Sequence, residues 1–185
     1  NYFTHEAFEL ANLAGKTKKG GKESIPVIDY VNSQFDTNLC WDDAQKAIES
    51  WGGPFAIKGV MSVDDAKRSV DVGASAIMVS NHGGRQLDSS PAPFDLLSDI
   101  ADAVGDKIEI ICDGGIRRGT HILKALALGA DACSIGRPYL YGLAAGGQKG
   151  VESVLAKFQA ELTRNMMLMG INNLSQLDLT RVRKR

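Results

Sequence analysis

A histidine and an arginine with the chemistry to act on an organic acid follow the apolar segment at residues 76–80. His82 can accept a proton near neutral pH, and Arg85 can hold a carboxylate through two parallel hydrogen bonds. Gly83 and Gly84 lie between them, where they allow a sharp turn and a close approach of the backbone to a ligand. A proton acceptor next to a carboxylate-binding group predicts chemistry on a small organic acid.

Other polar residues follow apolar segments in the same way. Each stands where a predicted strand ends, before the next predicted helix begins. Because parallel strands bring their carboxyl ends to one edge of a sheet, we expect these side chains to surround one site. The residues in this position are Lys58, His82, Arg85, Asp113, Arg117 and Arg137.

Two turns that contain glycine and arginine follow the last two predicted strands, at residues 113–120 (DGGIRRGT) and 134–138 (SIGRP). The glycines expose backbone N–H groups, and the start of the following helix adds a favourable dipole for an anion. Together the turns predict a phosphate site between Arg117 and Arg137. The alternative is a pair of tight turns whose arginines lie on the surface.

The elements that must position these residues are four repeats of strand, loop and helix, which predict an α/β fold with a parallel sheet and right-handed crossovers. Polar residues that gather only at the carboxyl ends of parallel strands are typical of a (β/α)₈ barrel or of an open doubly wound sheet. A complete barrel usually needs about 250 residues, whereas this chain has 185. We therefore interpret it as roughly the last four β/α units of a barrel. The predicted strands cover residues 54–59, 76–81, 108–113 and 132–136, and the last predicted helix covers residues 151–168.

The composition argues against several other classes of protein. A formal net charge of −1 gives the whole chain no general attraction to nucleic acid. No apolar run reaches the ~18 residues that cross a bilayer, and no signal peptide is visible, so we expect a cytoplasmic protein without a transmembrane segment. The three cysteines show neither metal-ligand spacing nor an even set, which predicts free thiols and no metal site.

Four motifs together resemble the FMN-dependent 2-hydroxy acid dehydrogenase and oxidase family. This family includes glycolate and lactate oxidases, mandelate dehydrogenase and the flavin domain of flavocytochrome b2. The resemblance extends from about residue 36 to residue 170 and implies an FMN-binding TIM barrel. The motifs are IKGV at 57–60, SNHGGRQLD at 80–88, DGGIRRG at 113–119 and GRP at 136–138.

The resemblance implies a role for each motif residue. His82 would bind substrate and act as the catalytic base, and Arg85 would hold the substrate carboxylate. Lys58 would stabilise negative charge at the N1–C2 carbonyl edge of the flavin, and Ser80 would contact its pyrimidine edge. Arg118 is expected to be structural or to face solvent, because adjacent side chains cannot both point at one anion. The remaining cofactor-binding residues, on the ribityl chain and the phosphate, would be Asp113, Gly114, Gly115, Ile116, Arg117, Gly136 and Arg137.

The implied activity is the FMN-dependent oxidation of an (S)-2-hydroxy acid, of the lactate, glycolate or mandelate type, to the 2-oxo acid. Removal of the proton from the hydroxyl, with hydride transfer, and removal from Cα, through a carbanion, both remain open. The family's first four strands would supply the carboxylate that orients the histidine, substrate-binding tyrosines and contacts to flavin N5 and O4. The alternative is a non-catalytic half-barrel that binds FMN or phosphate, or only pairs with a complementary half.

The resemblance also predicts three segments and the partners that the middle one needs. These are a variable loop segment at 1–35 after the fourth barrel strand, the C-terminal half of the FMN-binding barrel at 36–170, and a tail at 171–185. Four parallel strands alone leave open sheet edges and an uncovered apolar face. We therefore expect pairing with the N-terminal half of the barrel or self-association, and the family implies a homo-oligomer, a tetramer.

Overall fold

The computed structural model describes residues 18–19, 23–24 and 27–183, and the chain forms two compact units, Asn1–Cys40 and Trp41–Arg185. In the first unit, the strands β1 (Lys18–Lys19) and β2 (Glu23–Ser24) pair antiparallel, and helix α1 (Val27–Asn32) follows. Most of the loop segment predicted at 1–35 lies outside the described residues and stays a prediction.

The second unit alternates helices and strands. Its helices are α2 (Trp41–Trp51), α3 (Val63–Asp71), α4 (Pro93–Val104), α5 (Gly119–Ala127) and α6 (Arg137–Leu168). Its strands are β3 (Ala56–Val60), β4 (Ala76–Val79), β5 (Glu109–Asp113) and β6 (Ala132–Ser134). Short 3₁₀ helices cover His82–Gly84, Leu174–Gln176 and Leu179–Arg181.

The four strands of the second unit form one parallel sheet in the order β3-β4-β5-β6. The order in space follows the order in sequence, as in the wall of a β/α barrel, whereas a doubly wound sheet reverses its order at a switch point. The observed order therefore agrees with four successive β/α units of a barrel. The register between β3 and β4 shifts at Gly59, between the pairs Lys58–Met78 and Val60–Val79.

The hydrophobic core lies between the sheet and the helices that connect its strands. Alternate residues of β4 and β5 are fully buried, because successive side chains of a strand point to opposite faces. On α4, which begins with Pro93 as predicted, Leu97, Ile100 and Val104 repeat at helical spacing and are also buried. The strand residues that complete this core are Val60, Ile77, Val79, Ile110 and Cys112.

Helix α6 begins at Arg137, and Gly146 and Gly147 leave helical geometry and break it into two parts. The helix predicted at residues 151–168 corresponds to the second part, whereas the first part has no counterpart among the predicted helices. The glycines of this stretch hide the first part from sequence analysis, because glycine disfavours a helix. Two of them are required by packing, since the backbones of Gly142 and Gly150 approach too closely for a Cβ on either.

The thiols of Cys112 and Cys133 are free and lie on neighbouring strands. Burial, and next the nearby Cys133 and Asp113, raise the pKa of Cys112 to about 12. Burial raises the pKa of Cys133 to about 11. Both thiols therefore stay protonated at neutral pH and pack as small apolar groups.

In residues 18–19, 23–24 and 27–183, no group of three or more His, Cys, Asp or Glu side chains is arranged to hold a metal ion. The helices of the same part of the chain also lack the combination of length and apolarity that a membrane span requires.

A buried carboxylate joins α6 to the amino end of α5. Glu161 accepts hydrogen bonds at 3.0 Å from Nε of Arg118 to both of its oxygens, and a third at 2.9 Å from the backbone N–H of Gly119. Gly119 has no room for a Cβ, which would lie 2.6 Å from the backbone of α6. Arg118 is thus structural, as predicted, and its carboxylate partner fixes where α5 begins.

Glu161→Gln is expected to lower the melting temperature at neutral pH. The hydrogen bonds from Arg118 and then Gly119 lower the pKa of Glu161 below its ordinary value of 4.5, although burial opposes them. A group with a lowered folded-state pKa stabilises the fold above its unfolded-state pKa and loses that contribution as the pH falls through the folded-state value. The difference between wild type and variant should therefore shrink below about pH 4.5 in thermal denaturation.

The matched control is Glu152→Gln, which removes an exposed carboxylate from the same helix. It should change the melting temperature much less than Glu161→Gln. Equal effects of the two substitutions, or a difference at Glu161 that persists in acid, would contradict this role for Glu161.

Candidate active site

Every residue predicted for the site except Ser80 lines one cavity of about 530 Å³ at the carboxyl edge of the sheet. The cavity is formed by the end of β3, the loops after β4 and β5, and the start of α6. The structure therefore brings together side chains that lie up to 79 residues apart in sequence, from Lys58 to Arg137. The predicted residues on its wall are Lys58, His82, Arg85, Asp113, Gly114, Gly115, Ile116, Arg117, Gly136 and Arg137.

Ser80 is buried below this cavity, where its hydroxyl joins three neighbouring strands. It accepts hydrogen bonds from Nζ of Lys58 at 3.0 Å and from the backbone N–H of His82 at 3.1 Å, and it donates to Oδ2 of Asp113. These three bonds use the full capacity of a hydroxyl group. The predicted contact of Ser80 with a flavin stays a prediction, whereas its contacts with Lys58 and Asp113 are observed.

The charges of Lys58 and Asp113 lie close together, with Nζ 3.4 Å from Oδ2. Burial by itself raises the pKa of Asp113, but the hydrogen bonds of Ser80 and Ser134, followed by the charge of Lys58, lower it by more than burial raises it. The net result is a pKa below the ordinary value of 3.8. Asp113 is therefore an anion at neutral pH and can only accept hydrogen bonds.

His82 adopts a left-handed backbone conformation, with φ of 57°, which is uncommon for a residue other than glycine. Its ring packs against Gly59 of β3, where an added Cβ would lie only 3.0 Å from Cε1 of His82. Among the described residues, none forms a hydrogen bond with a ring nitrogen of His82. The ring nitrogens are therefore available to a ligand in the cavity.

The loop that carries His82 and Arg85 is held by Asn81. The side chain of Asn81 accepts a hydrogen bond from the N–H of Gly84 at 3.1 Å and donates one to the carbonyl of Pro91 at 3.2 Å. These bonds close the turn on both sides. Arg85 follows directly and is exposed at the cavity.

Arg137, the first residue of α6, connects this loop to the last strand. Its Nη2 donates a hydrogen bond of 2.8 Å to the carbonyl of Gly83. Gly83 has φ of 71°, and a Cβ there would lie 2.7 Å from the same Nη2, so both conformation and space favour glycine. The other guanidinium N–H groups and the amino end of α6 remain available to an anion.

The turn after β5 presents backbone groups and one arginine to the cavity. Gly114 and Gly115 both have positive φ, of 120° and 72°. The side chain of Ile116 is buried in the core, with 3% of its surface exposed, and anchors the turn. Ile116 can therefore reach the cavity only through its backbone, whereas Arg117 is exposed.

Sequence analysis missed two residues that support this turn from other elements. Glu161 holds Arg118 and Gly119 from α6, and His121 contacts the turn from the first part of α5. Glu161 lies 43 residues from Arg118, so no local pattern could have indicated the pair. His121 lies only four residues after Arg117, a spacing that could have indicated the contact.

A family model described as FMN-dependent dehydrogenase matches residues 2–184. The chain is 54% identical over 140 residues to pre-mycofactocin synthase of Mycobacterium tuberculosis strain H37Rv, covering 76% of this chain and 35% of that protein. It is 44% identical over 177 residues to 2-hydroxyacid oxidase 1 of Mus musculus, covering 96% of this chain and 48% of that protein.

Among solved structures, the monotopic membrane protein (S)-mandelate dehydrogenase superimposes with a TM-score of 0.81 at 35% identity. The match covers 85% of this chain and 42% of that one. The chain thus spans between 35% and 48% of the length of the two curated relatives. With a family match over nearly its whole length and four parallel β/α units of the barrel fold, this chain belongs to the FMN-dependent dehydrogenase family.

Proposed function

We propose that this chain supplies the FMN-binding and proton-accepting side of an enzyme that oxidises a 2-hydroxy acid to the 2-oxo acid. The observation that carries the proposal is that His82, Arg85 and both arginine-containing turns line one cavity. Membership of the family supports the cofactor. The names of two relatives, 2-hydroxyacid oxidase 1 and (S)-mandelate dehydrogenase, support the class of substrate.

The residues of the cavity fit the charge distribution of FMN. For the phosphate, Arg117 and Arg137 supply positive charge, and the backbone at Gly115 and Gly136 can come close to it. An added Cβ on either glycine would meet no atom within 4 Å, so the space beside both turns is open. The cavity, at about 530 Å³, lies in the range of about 300–1,000 Å³ that is usual for cofactor sites.

The residues in the middle and at the far end of the cavity suit the ribityl chain and the flavin ring of FMN. Asp113, which is an anion at neutral pH, can accept hydrogen bonds from the ribityl hydroxyls. Lys58 is fixed by Ser80 and Asp113 and supplies a cation suited to an electron-rich ring edge. Gly114 and Ile116 contribute backbone to the same wall.

His82 and Arg85 are proposed to act on the substrate. Bound FMN would accept two electrons from the 2-hydroxy acid. His82 takes the proton that leaves the substrate, from the hydroxyl or from Cα, on a ring nitrogen that the described residues leave uncovered. Arg85 holds the carboxylate through two parallel hydrogen bonds, which fixes the reacting carbon relative to His82.

The proposed partners follow from the edges of the sheet. Within the described residues, β3 and β6 each pair with a single strand, so each leaves a backbone edge open. We propose that further barrel strands or a second copy of the chain cover these edges, and that the enzyme is a cytoplasmic homo-oligomer. Sedimentation and cell fractionation test the assembly and the location separately.

The absorption spectrum of the purified protein tests the function directly. Flavin bands that bleach under anaerobic conditions on addition of L-lactate, glycolate or (S)-mandelate are the expected result. Bands that none of these acids bleaches would support a half-barrel that binds FMN without turnover. A protein that takes up no flavin from excess FMN would contradict the proposal.

His82→Gln should abolish the bleaching while FMN stays bound, because the amide cannot accept the substrate proton as a base. Stopped-flow absorbance at the flavin band measures the rate of reduction, and ultrafiltration measures the retained flavin. The matched control is Asp88→Asn, which changes an exposed residue of the same loop that does not line the cavity and should leave the rate of reduction unchanged. Near-normal reduction in the His82 variant would exclude this residue as the base.

Arg85→Lys should raise KM by roughly 10- to 100-fold, because a charge-assisted hydrogen bond contributes about 1.5–3 kcal/mol and the ammonium cannot bind both carboxylate oxygens in parallel. Steady-state kinetics with the best of the three acids gives the value. Arg164→Lys, on the exposed face of α6, serves as control and should leave KM unchanged. A KM unaffected by the Arg85 substitution would argue against the carboxylate contact.

A further inference from the structure

The turn at residues 115–117 is contacted by an imidazole that does not line the candidate active-site cavity. His121 is the third residue of α5, and its Nδ1 accepts a hydrogen bond of 3.1 Å from the backbone N–H of Arg117. The same Nδ1 lies 3.0 Å from the carbonyl oxygen of Gly115. One atom of one side chain therefore contacts both ends of the turn.

The two contacts of Nδ1 need opposite forms of the ring. A bare Nδ1 accepts from Arg117, whereas a protonated Nδ1 donates to Gly115, so a given tautomer makes only one of the two hydrogen bonds. In either form the ring tethers one end of the turn to α5. The intervening Ile116 is held separately by its burial in the core.

The ring lines a second cavity and not the candidate active-site cavity. This second cavity, of about 440 Å³, is also lined by Lys124, and it shares Gly83, Gly114, Gly115 and Arg137 with the first. Because the ring contacts only the backbone of the turn, it can act on a ligand in the first cavity only through the position of that backbone.

We propose that His121 is the positioning residue for the phosphate of FMN. By holding the turn through Nδ1, it presents the backbone at Gly115 and the guanidinium of Arg117 to a phosphate in the first cavity. The assignment rests on the proposed function, since it needs FMN as the ligand. The flavin ring and the ribityl chain lie outside its influence, because Lys58 and Asp113 are held by Ser80 instead.

The test compares FMN with riboflavin, which lacks the phosphate. Apoprotein of the intact chain is titrated with each flavin, and quenching of flavin fluorescence gives the two Kd values. Wild type should prefer FMN. His121→Ala should weaken FMN binding about tenfold, as expected for a lost hydrogen bond and a displaced turn, and leave riboflavin binding unchanged.

Two amide substitutions of His121 form a matched pair, and they test the proposal even if the alanine variant does not fold. In His121→Asn, the amide occupies the place of Nδ1 and can accept from Arg117 or donate to Gly115. In His121→Gln, the amide lies one carbon further out and cannot make either contact from the same place. The asparagine variant should therefore keep most of the preference for FMN, and the glutamine variant should lose it. Thr120→Ala, an exposed change in the same turn of α5, should behave as wild type.

The other outcomes distinguish a failure of the role of His121 from a failure of the proposed function. Equal weakening of FMN and riboflavin by His121→Ala, or equal behaviour of the asparagine and glutamine variants, would overturn the role of His121. A preference for FMN that survives in all three variants would do the same and leave the proposed function standing. A wild type that shows no preference for FMN would overturn the proposed function, and this assignment with it.

Discussion

The hydrogen bonds of the Ser80 hydroxyl join the carboxyl ends of three adjacent strands, and the rest of the site depends on them. They bring together Lys58 of β3, the backbone of His82 after β4 and Asp113 of β5. A buried hydroxyl that makes all of its bonds is costly to disturb, since any broken bond leaves a polar group without water. Lys58, Asp113 and the backbone that carries His82 therefore keep fixed relative positions before any ligand enters.

A second set of contacts adds the phosphate end to this arrangement. Arg137 reaches from the start of α6 to the carbonyl of Gly83, so the last strand and the loop of His82 share one wall. Behind the turn after β5, Glu161 holds the amino end of α5 by accepting from Arg118 and Gly119. Backbone N–H groups that bind an anion are accurately positioned only when such supporting contacts fix the turn that carries them. The residues that line the cavity and the residues that support them therefore come from different elements of the fold.

Sequence could predict the members of the site because each lies within or just after the carboxyl half of an apolar strand, as Lys58, Asp113 and His82 do, and a parallel sheet places such residues on one edge. It could not predict Glu161, whose partner is far away along the chain, nor the start of α6, where packing favours glycines that propensity disfavours. Ser80 shows a further limit: the pattern places it at the end of the correct strand, but only the structure shows that its hydroxyl is hydrogen-bonded to Lys58, His82 and Asp113.

The most direct measurement is a crystal structure of the protein with FMN bound. We expect the phosphorus atom to lie between the turn at residues 115–117 and the first residues of α6, with the flavin ring extending toward Lys58 and His82. A phosphate bound elsewhere, or a ring that points away from β3 and leaves His82 in contact with solvent alone, would contradict the claim that this edge of the sheet forms one FMN site.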